Sequence, residues 1–121
     1  MNTITIYMKI TIDGKTFDMH YSFRMHMLYE EVKEQPMQDV KKFMLKDQAI
    51  LFYNAVQATL KYNHCDYLMD WDDFCNWVDD NGGEYFLGKF SAWYLKAANK
   101  QAAKINELVK EEQEDDSEKK D

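Results

Sequence analysis

Apolar side chains occupy alternate positions on both sides of Asp13-Gly14: Ile4, Ile6, Met8, Ile10 and Ile12 before it, and Phe17, Met19, Tyr21 and Phe23 after it. A period of two puts alternate side chains on one face of a strand, so this pattern predicts an antiparallel β-hairpin with one apolar face. Asp-Gly suits a two-residue type I′ turn, whose central residues both need positive φ. Glycine reaches that region without steric cost, and aspartate at less cost than most residues. Such a loop fixes the register: Ile10 opposite Phe17, Met8 opposite Met19, Ile6 opposite Tyr21, Ile4 opposite Phe23. The ribbon is expected to span 3–23. A lone hairpin is marginal in water, so its apolar face must be covered by the rest of the chain.

That remainder reads as helix. Met25, Leu28, Tyr29 and Val32 recur at helical spacing over about 24–35, where Pro36 stops the helix by removing a donor and disfavouring helical geometry at Gln35. Asp39 is placed to cap a short turn through Val40, Phe43 and Met44, and Asp47 to cap a helix over 47–63. This second helix carries Ile50, Leu51, Phe52, Tyr53, Ala55, Val56 and Leu60 around most of its circumference, which marks it as the central, most buried one. Asp70 then precedes Trp71-Asp72-Asp73, a capping side chain and two acids at the positive end of a helix over 71–81. Trp71, Phe74, Cys75 and Val78 form its inward face. Asn81-Gly82-Gly83 ends it, because glycine accepts the left-handed conformation at a helix C-terminus.

A last helix is expected over 84–109. It begins rich in aromatic residues (Phe86, Phe90, Trp93, Tyr94) and continues through Ala97, Ala98, Ala102, Ile105 and Val109. At 1.5 Å per residue it would be roughly 40 Å long, too long for so small a body to cover, so its end must project or pack on something else. Residues 110–121, acidic and without a large apolar side chain, read as a flexible tail. The sequence therefore predicts one α+β domain over 1–109: an N-terminal antiparallel hairpin packed on a bundle of about four helices, with a long C-terminal helix.

Charge and composition limit the function. With a formal net charge of −7 and Arg24 as the sole arginine, the chain lacks the clustered cations that bind a phosphate backbone, so nucleic acid is not expected as a partner. The sequence holds no apolar run long enough to span a membrane and no signal-peptide pattern at its start, and a cytoplasmic location is expected. Cys65 and Cys75 are then expected to stay reduced.

The chemically competent residues fall short of a site. His64, Cys65, Asp66 and Cys75 lack the paired ligand spacing of structural zinc, and no metal or cofactor is expected. Cys65 with His64, His20 or His26 could be drawn as nucleophile and base, yet nothing in their spacing positions one against another. Asp70, Asp72, Asp73, Asp79 and Asp80 are accounted for by helix starts and solvent faces. Gly82-Gly83 is not followed by the Lys-Ser/Thr of a phosphate loop. No catalytic residue is identified, and enzyme activity is not expected. The stronger feature is the apolar stripe Ala98, Ala102, Ile105 and Val109 on the projecting helix. A partner or a second copy could complete its burial, or the helix could instead lose structure beyond about residue 105. Met25, Met27, Met37, Met44 and Met69 supply flexible apolar contacts of the kind that tolerate several partners, and Met37 beside Pro36 marks a second contact region.

Met8-Lys9-Ile10-Thr11-Ile12-Asp13-Gly14-Lys15 followed by Phe17 and Phe23, a helix with Leu28 and Glu30-Glu31, Lys46-Asp47-Gln48 opening a helix with Leu51 and Ala55, and Trp71-Asp72-Asp73-Phe74 before a final helix resemble, over about 8–98, the tail assembly chaperones of long-tailed bacteriophages. The chain departs from them in the stretch Met1 to Tyr7 and in its many tyrosines and methionines. The resemblance implies a non-enzymatic, transient role: binding the tape measure protein, shielding its long hydrophobic helices, recruiting tail tube protein, and leaving before the virion is complete. An acidic interaction module or DNA-mimic inhibitor encoded by a phage or mobile element is the alternative.

Overall fold

The computed structural model describes residues 7–119, with side chains through Gln113. Strands β1 (Lys9–Ile12) and β2 (Lys15–Asp18) pair antiparallel, with Ile10 opposite Phe17 and Thr11 opposite Thr16. Asp13 (φ 51°) and Gly14 (φ 76°) both have the positive φ of a type I′ turn. The Met19 amide donates to the Met8 carbonyl at 2.7 Å, prolonging the pairing by one step. Met8, Ile10, Ile12 and Met19 are buried on one face, as the alternation requires, while Thr11 and Thr16 meet through their hydroxyls on the other.

The ribbon is shorter than the period-two pattern implies. Ser22 caps helix α1 (Phe23–Lys33) by accepting from the Met25 amide, so Phe23 is helical and 77% exposed rather than a strand residue. Its proposed partner Ile4, and the partner Ile6 of Tyr21, lie outside the described residues. Helix α1 ends at Lys33, two residues before the expected boundary at Gln35, because Glu34 turns into the left-handed region (φ 55°) and donates its amide to the Glu30 carbonyl. Met25 and Tyr29 are buried and Leu28 half-buried, whereas Val32 stays exposed.

After a 3₁₀ turn at Val40–Lys42 capped by Asp39, helix α2 (Leu45–Tyr62) runs through the middle of the body. Its N-cap is Met44; Asp47 lies a turn inside, reaches back to the Met44 amide and pairs with Lys33 at 2.6 Å. Asp47 therefore acts as the acid of a first turn and not as the N-cap expected from sequence. Phe52 is fully buried, stacked on Phe90 with centroids 4.4 Å apart and edge-on to Phe74 and Phe86. Helix α3 (Trp71–Asp80) starts at Asp70, whose carboxylate accepts from the Asp73 amide at 2.8 Å. Helices α2 and α3 both close with Schellman hydrogen bonds, Cys65 amide to Leu60 carbonyl and Gly83 amide to Val78 carbonyl. In α2 the left-handed position is held by His64 (φ 56°), in α3 by Gly82 (φ 116°). Helix α4 (Glu84–Lys119) completes the α+β fold.

Three polar links fix the ribbon and the α2–α3 connection. The Trp77 indole donates to the Thr11 carbonyl at 3.0 Å, and the buried Thr59 hydroxyl accepts from the His20 amide at 3.1 Å. Gln57 clasps Met69, donating to its carbonyl and accepting from its amide, and so orders the approach to α3.

Candidate interaction surface

Helix α4 has two halves of different chemistry. Phe86, Leu87, Phe90, Trp93 and Tyr94 are buried against α2, α3 and the end of the ribbon. Tyr94 shares a 2.6 Å hydrogen bond with His26 of α1, and Tyr21 packs against His26, Trp93 and Tyr94. Burial holds the His26 imidazole below its ordinary pKa, with Glu30 partly opposing, and pushes the Tyr94 phenol upward. Among the described residues, this aromatic cluster, with Ala97 and Ala98 beside it, is the last anchorage of α4. From Asn99 to Gln113 every residue is exposed, and residues 99–119 extend about 30 Å at helical rise.

The apolar stripe named from sequence divides at that point. Ala98 is half-buried against the core and belongs to the anchored part, which removes it from a free contact face. Ala102, Ile105 and Val109 are exposed, with Ile105 49% and Val109 45% accessible. Leu108, 51% exposed, widens the stripe and was not singled out from sequence; its position three residues after Ile105 is the signal that marks it. Helix α4 continues to Lys119, so the residues expected as a tail are helical over 110–119, and 120–121 lie outside the described residues. Glu, Lys and Gln lose little rotamer freedom in a helix, so a segment with nothing to bury can still extend one.

Met37 is not part of this stripe. It is half-buried, held by its amide donating to Glu30 at 2.9 Å, and borders a shallow groove of about 400 Å³ with Phe23, Met27 and Tyr94. The other methionines separate by burial: Met25 and Met69 are core, Met27 and Met44 exposed. A second groove of about 320 Å³, mainly apolar, lies between Leu45 and Ala49 of α2, Cys75 and Val78 of α3, and Leu87 of α4. A third, also about 320 Å³, lies where α4 leaves the body, between Met19, His20 and Tyr21 on one side and Trp93, Lys100 and Lys104 on the other.

Burial and the nearby Asp72 and Asp79 raise the Cys75 pKa and hold it as a thiol. Both cysteines are free; His20 stacks on Tyr62, and His64 sits at the exposed end of α2. Among the described residues, no group of three or more His, Cys, Asp or Glu could hold a metal ion, and no helix is long and apolar enough to cross a membrane. Comparison with known proteins finds no matching family model, no matching curated protein and no matching solved structure.

Proposed function

We propose that this chain is a non-enzymatic helix-binding protein of the tail assembly chaperone type, acting in the cytoplasm of a bacterial host and absent from the mature virion. The observation that carries the reading is the projecting half of α4, where Ile105, Leu108 and Val109 lie on one side of a helix and are left exposed by the described residues. A chaperone for long amphipathic helices needs apolar surface that a client helix can share, and helix against helix is the simplest complement. It also needs release. A stripe made of Ala102 and three larger side chains offers a modest interface, consistent with transient holding. The net charge of −7 keeps such a surface in solution without a large apolar patch. On this reading the partners are the tape measure protein and the tail tube protein, with α4 as the main contact and the groove beside Met37 as the second.

Pull-down with a tape measure protein encoded beside this chain tests the proposal. Wild type is expected to retain it, and Ile105→Asp with Val109→Asp to lose at least about tenfold in affinity, since each charge must be desolvated against apolar surface. Equal retention by both would remove α4 from the proposal. A tail tube gene upstream and a very long helical gene downstream would support the same reading. The second reading, an acidic module imitating nucleic acid, draws on the exposed Asp70, Asp72, Asp73, Asp79 and Asp80 around α3. It predicts salt-sensitive capture of a basic host protein, unaffected by the α4 substitutions.

A further inference from the structure

Where the ribbon passes into α1, His20 and Tyr21 form a fixed wall between two surface hollows. The His20 amide donates to the Thr59 hydroxyl at 3.1 Å, its ring stacks on Tyr62 with centroids 3.8 Å apart, and Tyr21 packs against Trp93. On one side of the wall is the hollow of about 320 Å³ closed by Trp93, Lys100 and Lys104 of α4. On the other is one of about 380 Å³, edged by Phe23, Arg24, Met27 and Tyr62. Phe23 is 77%, Met27 48% and Tyr62 59% exposed, so its rim offers apolar surface to a partner. Among the described residues, no aspartate or glutamate lines either hollow. In a chain with 22 acids against 15 lysines and arginines, this is a local inversion of charge. Lysines that only keep a helix soluble face away from the body. At about 100° per residue, Lys100 and Lys104 instead fall within roughly 60° of Trp93 and Ala97 around α4. The body-facing side of this helix thus changes from aromatic to cationic where the body ends.

We propose that the two hollows form one docking groove for a short acidic segment of a partner protein, with carboxylates on Lys100 and Lys104 and an apolar side chain against Phe23 and Met27. The spacing suits such a segment: the lysines are about 6 Å apart along the helix axis, and alternate side chains of an extended chain are roughly 6.5 Å apart. The net charge of −7 limits how long the anion can be. Charges are screened beyond about 8 Å at physiological salt, so an anion confined to the groove meets its cations and little else. Glu30 already lines the next hollow past Phe23 and Met27, and Glu107 follows Lys104 on α4. A nucleic-acid strand, charged at every link, runs past the groove onto this acidic surface. A peptide with acids and apolar residues over a few positions does not.

The stripe of Ala102, Ile105 and Val109 lies roughly 150° around α4 from these lysines, so failure of either proposal leaves the other standing. The test is fluorescence anisotropy of the full chain with a labelled, end-capped peptide in which glutamate and leucine alternate. Saturable binding is expected with a Kd of about 10–100 μM, weakening at least about tenfold between about 50 and about 300 mM salt. Lys100→Gln with Lys104→Gln should weaken it at least about tenfold, and Phe23→Ser at least about threefold. All three positions are exposed, and an unchanged helical circular dichroism signal verifies the fold. The same peptide with glutamine in place of glutamate should not bind. No saturation below about 1 mM overturns the proposal, as does equal binding by the variants or by the glutamine peptide. Tighter binding of an oligothymidylate of equal charge also overturns it, and assigns the groove to nucleic acid.

Discussion

His26 Nε2 and Tyr94 Oη lie 2.6 Å apart although 68 residues separate them in sequence, and this hydrogen bond ties α1 to α4 one turn before α4 leaves the body. Burial keeps His26 below its ordinary pKa, so the fold favours the neutral ring. The unfolded chain then takes up a proton first on acidification. Stability is therefore complete above about 6.5, the ordinary histidine value, and falls as pH drops through it toward the folded-state pKa. His20, also lowered by burial, acts in the same direction. Urea midpoints at about pH 7.5 and about pH 5.5 should differ, with less stability at the lower value, and His26→Gln should reduce the difference. A midpoint that does not move with pH contradicts this account of the cluster.

Phe52 stacks on Phe90 and touches rings from both α3 and α4, so its removal leaves a cavity that three helices would have to close. Phe52→Ala should cost about 3–5 kcal/mol in equilibrium unfolding. Phe23→Ala, at an exposed helix start, should stay within about 0.5 kcal/mol. Comparable losses at both sites would contradict the burial described.

Helix ends give a third prediction of opposite signs. His64 sits left-handed at the close of α2, where a residue with a Cβ is strained, so His64→Gly should stabilise by about 0.5–1 kcal/mol. Gly82→Ala at the corresponding place in α3 should destabilise by about 1 kcal/mol, since a Cβ there meets the Tyr85 ring at 3.3 Å as well as the strained backbone. Asp70→Ala should cost about 1 kcal/mol through the lost cap. Thermal unfolding of the three variants reads all of these.

Much of the fold could be read from residues that do one thing locally and the same thing globally. Asp13-Gly14 demands the turn that the flanking alternation also demands, and the pair Ile10–Phe17 follows from both. Asp70 and Asn81-Gly82-Gly83 bracket α3 for the same reason, as cap and as left-handed stop. Sequence and structure part where one residue satisfies two patterns. Phe23 continues the strand period and also starts a helix; the Ser22 hydroxyl decides for the helix by taking up the Met25 amide. Asp47 resembles an N-cap, but the helix begins earlier at Met44, a residue with no capping signature, because Asp47 serves the first turn and Lys33 together. On α4, the exposure of Ile105 and Val109 follows from their spacing beyond the aromatic stretch. The burial of Ala98 does not follow from spacing, since only packing reveals that the aromatic cluster still covers it.

Removing the exposed part of α4 should separate folding from binding. A chain stopped after Asn99 keeps Phe86, Phe90, Trp93 and Tyr94 in place, so its urea midpoint should change by no more than about 0.5 kcal/mol equivalent. Its helical signal should fall with the lost turns. A body that unfolds on truncation would mean that α4 beyond Asn99 carries stability rather than contact.

Amide hydrogen exchange of the intact chain, alone and mixed with a tape measure protein encoded beside it, addresses the binding role without any substitution. Exposed helix with few packed side chains exchanges readily, and covering it slows exchange. The expected result is new protection across 99–113, with the α2 core unchanged. Protection that leaves 99–113 as it was and appears elsewhere, or no change at all, would contradict the proposal that α4 is the surface through which this protein binds a partner.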